Sequence, residues 1–217
     1  MKKEVIGNAT LFLGDCLEII PTLEKVDAVI TDPPFNVGKN YGLHNDSMSE
    51  NEYILWLDER INVFRKISEQ IWMVVPTIKL LKIWNLMIDA NQVVIPMKAG
   101  YAIRSGWTQK YTSLLVEGKP SNHPWNLWEG IRHKGEGYFF REDTYNHPGY
   151  TPEGILERAV TDSIAHSVLD PFMGTGTTGV VCMNQGPKFI GIEIEEKYFQ
   201  ISCERIEQAQ RQGRLFS

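Results

Sequence analysis

"SVLDPFMGTGTTGVV", residues 167–181, sets an apolar run against a glycine loop and follows it with a second apolar run. Gly174, Gly176 and Gly179 stand in a G-x-G-x-x-G spacing, between a strand pattern and a helix pattern. The physics of that spacing is a tight turn in which backbone approaches a ligand closely while the amides of a helix N-terminus point at it. Glu193 closes the next strand pattern, "KFIGIE" at 188–193, where a carboxylate can accept from a ribose hydroxyl. A nucleotide-like ligand follows from this strand–loop–helix–strand–acid order. The bland alternative is a glycine-rich connection with no ligand.

The loop comes late. The Gly loop of a nucleotide-binding sheet normally lies near the N-terminus, and here it falls within the last quarter of the chain. The other strands must then come from the N-terminal side, so the order looks circularly permuted. Short β-type runs alternate with amphipathic stretches throughout, the pattern of βα units and a mostly parallel sheet. Strands are expected at "TLFLG", "DAVIT", "IWMVV", "QVVIP", "YTSLLV", "SVLD" and "KFIGIE", and helices at 51–67, 77–90, 151–160, 177–185 and 195–212. In the third of these helices Thr151 suits the N-cap, with Pro152 at the first helical position. The expectation is one α/β domain over 1–217, Rossmann-like, with seven strands and helices on both faces. Residues 98–147, rich in Gly, Pro, His and aromatics and without sustained period, read as an excursion from the sheet.

A second stretch, "TDPPFNVGKNYG" at 31–42, follows the apolar run "VDAVI" and stiffens the backbone with two prolines where a buried strand should leave the sheet. A turn alone does not need this. "DPPF" at 32–35 followed by "DPFMGTGTTG" at 170–179 resembles the β group of S-adenosylmethionine-dependent DNA amino-methyltransferases, the permuted group acting on adenine N6 or cytosine N4. "GDCLEIIPTL" at 14–23, "HPGYTPEGILERAV" at 147–160 and "FIGIEIEEKYFQIS" at 189–202 resemble further segments of that family, in its order. The chain departs from the pattern at Tyr150-Thr151-Pro152, where lysine-proline is commoner, and in its short middle segment.

The resemblance gives the proline pair a task. An exocyclic base amine is a poor nucleophile because its lone pair is delocalised into the ring. Acceptors on both amino hydrogens draw the nitrogen toward a tetrahedral arrangement and hold it beside the methyl, while an aromatic face stacks an extruded base. Asp32 offers a carboxylate and Pro33 a carbonyl, with Pro34 adding stiffness and Phe35 the aromatic face. Successive prolines fix φ at about −65°, which suits acceptors that must be held still. The resemblance further implies S-adenosylmethionine as cofactor, bound through Asp15, Asp170, Phe172, Gly174, Thr175, Gly176, Thr177 and Glu193, with no metal. Asp15 and Asp170 both end apolar strands and can instead cap a loop, about equally for Asp15 and less so for Asp170. An aspartate at the first clamp position goes mostly with adenine in the family, so the expected product is N6-methyladenine in double-stranded DNA, with N4-methylcytosine the alternative.

Composition sets the frame. At 42% hydrophobic and 23% charged the chain fits an ordinary globular protein, and no apolar run approaches the ~20 residues of a membrane helix. A cytoplasmic protein is expected. Cys16, Cys182 and Cys203 form no CxxC or Cys/His ligand spacing and read as small hydrophobes. None follows a proline, against a carbon-methylating cytosine enzyme, whose thiolate typically stands in a Pro-Cys pair. The five histidines share no ligand spacing and read as surface or packing residues.

The net charge of −5 argues mildly against an anionic partner, yet residues 98–141 carry seven Lys/Arg against three Glu. Arg104, Lys110, Arg132 and Lys134 in this stretch are the candidate DNA contacts. Trp107, Trp125, Trp128 and Tyr138 interleave with them, either facing DNA or forming a small satellite core. The family resemblance permits a homodimer.

Rival readings remain. A dehydrogenase explains the glycine loop and leaves "DPPF" without a task. Protein-glutamine and RNA methyltransferases usually place the glycine loop ahead of the clamp. A catalytically inactive DNA-binding module is the alternative from a different class.

Overall fold

The computed structural model describes residues 2–38, 40, 41, 44–76, 79–102, 108–118 and 151–214. In chain order the elements are β1 (Lys2–Ile6), β2 (Ala9–Leu13), α1 (Cys16–Ile19) with a 3-10 turn at Ile20–Thr22, β3 (Ala28–Thr31), β4 (Asn40–Tyr41), β5 (His44–Asn45) and α2 (Glu50–Ile67). There follow β6 (Ile71–Val75), α3 (Leu80–Trp84), β7 (Asn91–Ala102), β8 (Thr108–Glu117), α4 (Glu153–Ser163), β9 (Ser167–Asp170), α5 (Thr177–Gln185), β10 (Lys188–Glu193) and α6 (Glu196–Arg214).

Eight strands form one sheet in the order β1-β2-β10-β9-β3-β6-β8-β7. The five from β2 to β6 run parallel, while β1, β8 and β7 each pair antiparallel with their neighbours. Counted from β9 and carried on through β10 to β2, β3 and β6, the parallel strands stand in the 3-2-1-4-5 order of a doubly wound nucleotide-binding sheet. The glycine-loop strand is thus central in space although late in the chain.

Alternation along the strands sends side chains to two cores. Ala28 and Ile30 of β3 and Trp72 and Val74 of β6 pack with Ile155, Val160, Val181 and Ile206 from α4, α5 and α6. Val29, Ile71, Met73 and Val75 pack on the other face with Tyr53, Leu57, Ile61 and Phe64 of α2 and Ile83 of α3. Helices cover both faces. The long α2 starts on a capping box in which Ser49 and Glu52 each satisfy the other's backbone amide.

Several expectations need correction. An eighth strand, β1, precedes the seven expected; its sequence "KKEVI" is exposed except at the half-buried Ile6 and has no apolar alternation to betray it. Its two lysines and glutamate suit a sheet edge that must not pair further. The helix expected at 77–90 shrinks to Leu80–Trp84. The helix expected at 151–160, α4, begins at Glu153 with Pro152 at the N-cap, so Thr151 lies one residue ahead of the cap and is released for other work. Residues 98–102 and 108–117 belong to β7 and β8, a hairpin with a register shift between Pro96 and Tyr101, so they continue the sheet. Lys110 lies on β8; Arg104, Arg132 and Lys134, with Trp107, Trp125, Trp128 and Tyr138, fall outside the described residues. No helix among the described residues is long and apolar enough to cross a membrane.

Candidate active site at the carboxyl ends of the parallel strands

The two sequence motifs lie far apart in the chain and side by side in space. β3 and β9 are parallel neighbours, with Ala28 opposite Val168 and Val29 opposite Leu169, so the loops leaving their carboxyl ends emerge together. From β9 the chain passes outward to α5 and β10, and from β3 toward β6 on the other side. A crevice opens where the connections diverge, the usual ligand position in an open α/β sheet. A buried hydrogen bond ties the motifs: Thr31, the last residue of β3, donates from Oγ1 to Asp170 Oδ1 at 2.8 Å.

Asp170 has a different task from the one expected of it. It is 3% exposed, and both oxygens accept from within the protein: Oδ1 from Thr31 and the Phe172 amide (3.1 Å), Oδ2 from Thr178 Oγ1 (2.7 Å). Its carboxylate fastens the glycine loop to β3 and to α5 rather than reaching a ligand. Burial pushes its pKa up to about 6, against the lowering effect of the Thr178, Thr31 and Phe172 bonds. Asp15 likewise works as a cap, accepting from the Leu17 amide at 2.9 Å to start α1, with Arg60 3.8 Å away.

The loop has the backbone that its glycines allow. Gly174 and Gly176 have φ of +53° and +82°. The third glycine serves packing: a Cβ on Gly179 would stand 2.5 Å from Ile206 Cδ1 and 2.7 Å from Phe189 Cε1, so α5 can lie this close to α6 and β10 only without a side chain. Behind the loop Arg205 of α6 donates from Nη1 to the Thr175 carbonyl (2.6 Å), Thr175 Oγ1 (2.9 Å) and Thr177 Oγ1 (3.3 Å). Thr175 and Thr177, expected at the cofactor, are thereby turned to Arg205.

Glu193 closes β10 and faces the loop. Its Oε2 accepts from the Gly174 amide at 2.8 Å and its Oε1 from the Glu195 amide at 2.8 Å, while its carbonyl accepts from the Gly14 amide at 2.9 Å. Burial raises its pKa to about 7, opposed by the amide bonds and reinforced by the charge of Asp170. A carboxylate has about four acceptor sites, so Glu193 keeps capacity for a hydroxyl beside its amide bonds. A pyrophosphate is poorly suited here, because a loop amide it would need is given to the Glu193 carboxylate, and the cation beside the loop, Arg205, is bound to Thr175 and Thr177. A ribose diol on a ligand without phosphate charge fits this donor and acceptor set, as S-adenosylmethionine requires.

The clamp leaves β3 directly after Thr31. Asp32 Oδ2 accepts from the Thr151 hydroxyl, which the segment ahead of α4 delivers. The Pro34 carbonyl accepts from Tyr53 of α2 at 3.0 Å. The chain then turns at Asn36, φ +54°, where Asp46 accepts from the amides of Asn36 (2.7 Å) and Val37 (3.0 Å). Phe35 is 8% exposed and belongs to the core on the α4 side, so its ring anchors the clamp. This burial leaves little of the ring open for the stacking expected of it. Phe172 lies half-buried on the opposite face, its ring 5.5 Å from Trp56 and 6.2 Å from Phe64.

Thr31, Tyr53, Arg205 and Asp46 escape a linear reading because each acts across the fold. Only Thr151 left a trace, as a departure from a familial lysine. Burial raises the pKa of all three cysteines, Cys16 to about 12, and holds them toward the thiol form.

Comparisons with known proteins agree with this geometry. A family model for N6/N4 methyltransferases, described as DNA methylase, matches residues 64–204, well over half of the chain. DNA adenine methyltransferase YhdJ of Escherichia coli (strain K12) is 28% identical over 248 residues, covering 92% of this chain and 83% of that protein. Type II methyltransferase M.HpaI of Haemophilus parainfluenzae is 27% identical over 236 residues, covering 91% and 74%. Among solved structures, the cytosine-N4-specific PvuII DNA methyltransferase superposes with a TM-score of 0.71 at 18% identity, over 93% of this chain and 87% of that one. The M1.HpyAVI–SAM complex gives 0.62 at 22% identity, over 91% and 98%. These superpositions speak for the fold, and the family match speaks for descent: the chain belongs to the N6/N4 DNA methyltransferase family.

Proposed function

We propose that this protein methylates the N6 amino group of adenine at specific sites in double-stranded DNA. The observation that carries the reading is the Asp32 carboxylate at the end of β3, beside the glycine loop and held by a hydroxyl from a third segment. The methyl donor, S-adenosylmethionine, supplies an electrophilic methyl on a sulfonium. Glu193 is suited to the ribose hydroxyls, and the loop from Gly174 to Gly176 lets backbone approach closely. Asp32 accepts one amino hydrogen of the base and the Pro33 carbonyl the other, which localises the nitrogen lone pair and aims it at the methyl. Transfer would form the N–C bond as the S–C bond breaks and S-adenosylhomocysteine leaves; the Asp32 carboxylate would stabilise the positive charge growing on nitrogen, which loss of one amino proton to water then discharges. The Pro34 carbonyl is tied to Tyr53, so the clamp works through Asp32 and Pro33.

Adenine is preferred because an aspartate opens the clamp and because the relative YhdJ is named an adenine methyltransferase. The segment 98–147, with Arg104, Lys110, Arg132 and Lys134, supplies the DNA contacts in this reading. Nucleoside mass spectrometry on DNA from a host expressing the protein tests it. N6-methyladenine is expected; N4-methylcytosine in its place would reverse the choice of base, and 5-methylcytosine would overturn the mechanism.

A further inference from the structure

Two hydroxyls from outside the clamp hold it at two points. Thr151, 6% exposed, reaches Asp32 from the segment ahead of α4, and Tyr53, fully buried, reaches the Pro34 carbonyl from α2 on the other face of the sheet. We propose that Tyr53 and Thr151 are positioning residues for methyl transfer: together they set the clamp acceptors of Asp32 and Pro33 at the distance from the glycine loop that the reacting methyl requires. This rests on Asp32 and Pro33 being the base clamp.

The geometry on the Tyr53 side reaches the loop itself. The Tyr53 ring stacks on Trp56 at 5.9 Å and 18°, and Trp56 packs against Phe172 at 5.5 Å and 33°. Phe172 is the second residue of the loop, and its amide donates to Asp170. A packed chain of Pro34, Tyr53, Trp56 and Phe172 therefore joins the base side of the crevice to the methyl side. Cations grip it from outside: the Arg60 guanidinium lies 4.1 Å from the Trp56 ring centre and Lys79 Nζ 4.5 Å from that of Tyr53, with Lys79 ion-paired to Glu50 at 3.2 Å. Burial, with smaller contributions from the charges of Asp46, Asp32 and Glu50, raises the pKa of the Tyr53 phenol, so it stays a donor across the working range.

A hydroxyl on Asp32 also does something a lysine there would not. Thr151 donates one hydrogen bond and brings no charge, so it orients the carboxylate through a single oxygen without neutralising it. Tyr53 complements this by engaging the Pro34 carbonyl, which leaves the acceptor pair to Asp32 and Pro33. Neither residue touches the reacting atoms in this arrangement. Both act through groups that do.

The experiment uses the full chain with Tyr53→Phe, Thr151→Val and Thr151→Ser, each removing or retaining one hydroxyl with little change in volume. Single-turnover transfer from tritiated S-adenosylmethionine to unmethylated bacterial genomic DNA gives the rate; calorimetry gives cofactor affinity, and thermal unfolding reports the fold. Tyr53→Phe and Thr151→Val are each expected to slow transfer by roughly tenfold or more, since small misplacements of reacting groups are costly. Cofactor affinity and the DNA concentration at half-saturation should stay within about twofold of the parent, as expected when the loss falls on transition-state stabilisation and not on ground-state binding. Thr151→Ser should restore most of the rate. Unchanged rates in both variants with an active parent, or rate losses that follow weakened cofactor affinity or reduced stability, would overturn the positioning role alone. A parent that transfers no label would overturn the clamp reading and this proposal with it.

Discussion

Asp170 and Glu193 keep carboxylates where water reaches them poorly, and this controls how the protein responds to pH. Burial raises both pKa values, to about 6 and about 7, above their ordinary 3.8 and 4.5. The folded state then holds more protons than the unfolded state between those limits, so the stabilisation is complete below the ordinary values and is lost as pH rises through the folded ones. Urea midpoints of the cofactor-free protein are expected to contain a component that falls between about pH 4 and pH 7, and Glu193→Gln should remove its upper part. An unaltered pH profile in Glu193→Gln would show that Glu193 titrates normally. Asp32 gives the second prediction at this scale. Asp32→Ala should abolish transfer, to a few per cent of the parent or less, with cofactor affinity nearly unchanged, because the carboxylate acts on the base and not on the sulfonium; calorimetry beside a transfer assay separates the two. The carboxylate at 32 was legible in the sequence because two prolines and a strand frame it. The hydroxyls of Thr31, Thr151 and Tyr53 were not, because a threonine or tyrosine shows its partner only once the chain has folded.

At the scale of elements, the glycine loop depends on helices that the motif does not include. Gly179→Ala should gain about 1 kcal/mol of helix propensity and lose about 1–3 kcal/mol to overpacking. The clash prevails because the new Cβ meets two buried side chains, Ile206 and Phe189, both under 3.0 Å. A net loss is therefore expected in denaturant titrations. Arg205→Met should weaken cofactor binding by roughly tenfold, the scale of one charge-assisted hydrogen bond, and leave DNA half-saturation alone. Binding as tight as the parent would show that the loop holds its shape without α6. Elements with strong patterns were readable in advance: β6, β9, α5 and β10 match the expected runs residue for residue. β1 and the short α3 were not, the first because this edge strand is exposed at four of its five residues and shows no alternation, and the second because an apolar stretch such as "TIKLLKIWNLMIDA" does not reveal where its helix stops.

For the whole molecule, the net charge of −5 conceals a basic stretch, seven cations against three carboxylates over 98–141. Replacing Arg104, Lys110, Arg132 and Lys134 together by alanine should weaken DNA binding and make its salt dependence shallower, by a log–log slope of up to about 0.9 for each phosphate that is no longer neutralised. An unchanged slope would move the DNA face elsewhere. The sequence by itself determined the class of fold and the kind of chemistry. Alternating strand and helix patterns, a glycine loop placed after a proline clamp, and an acid closing the next strand are local signals, written in neighbouring residues and readable along the chain. Tertiary structure decided which of the expected residues are spent on internal contacts. It turned Asp170, Thr175 and Phe35 inward as braces and core, set Asp15 as a partly exposed helix cap, and brought Tyr53, Thr151 and Arg205 to the clamp and loop. The physical reason is that a buried polar group must find a partner, and in a doubly wound sheet that partner comes from whichever strand or helix lies alongside in space, more than a hundred residues away for Thr31 and Asp170.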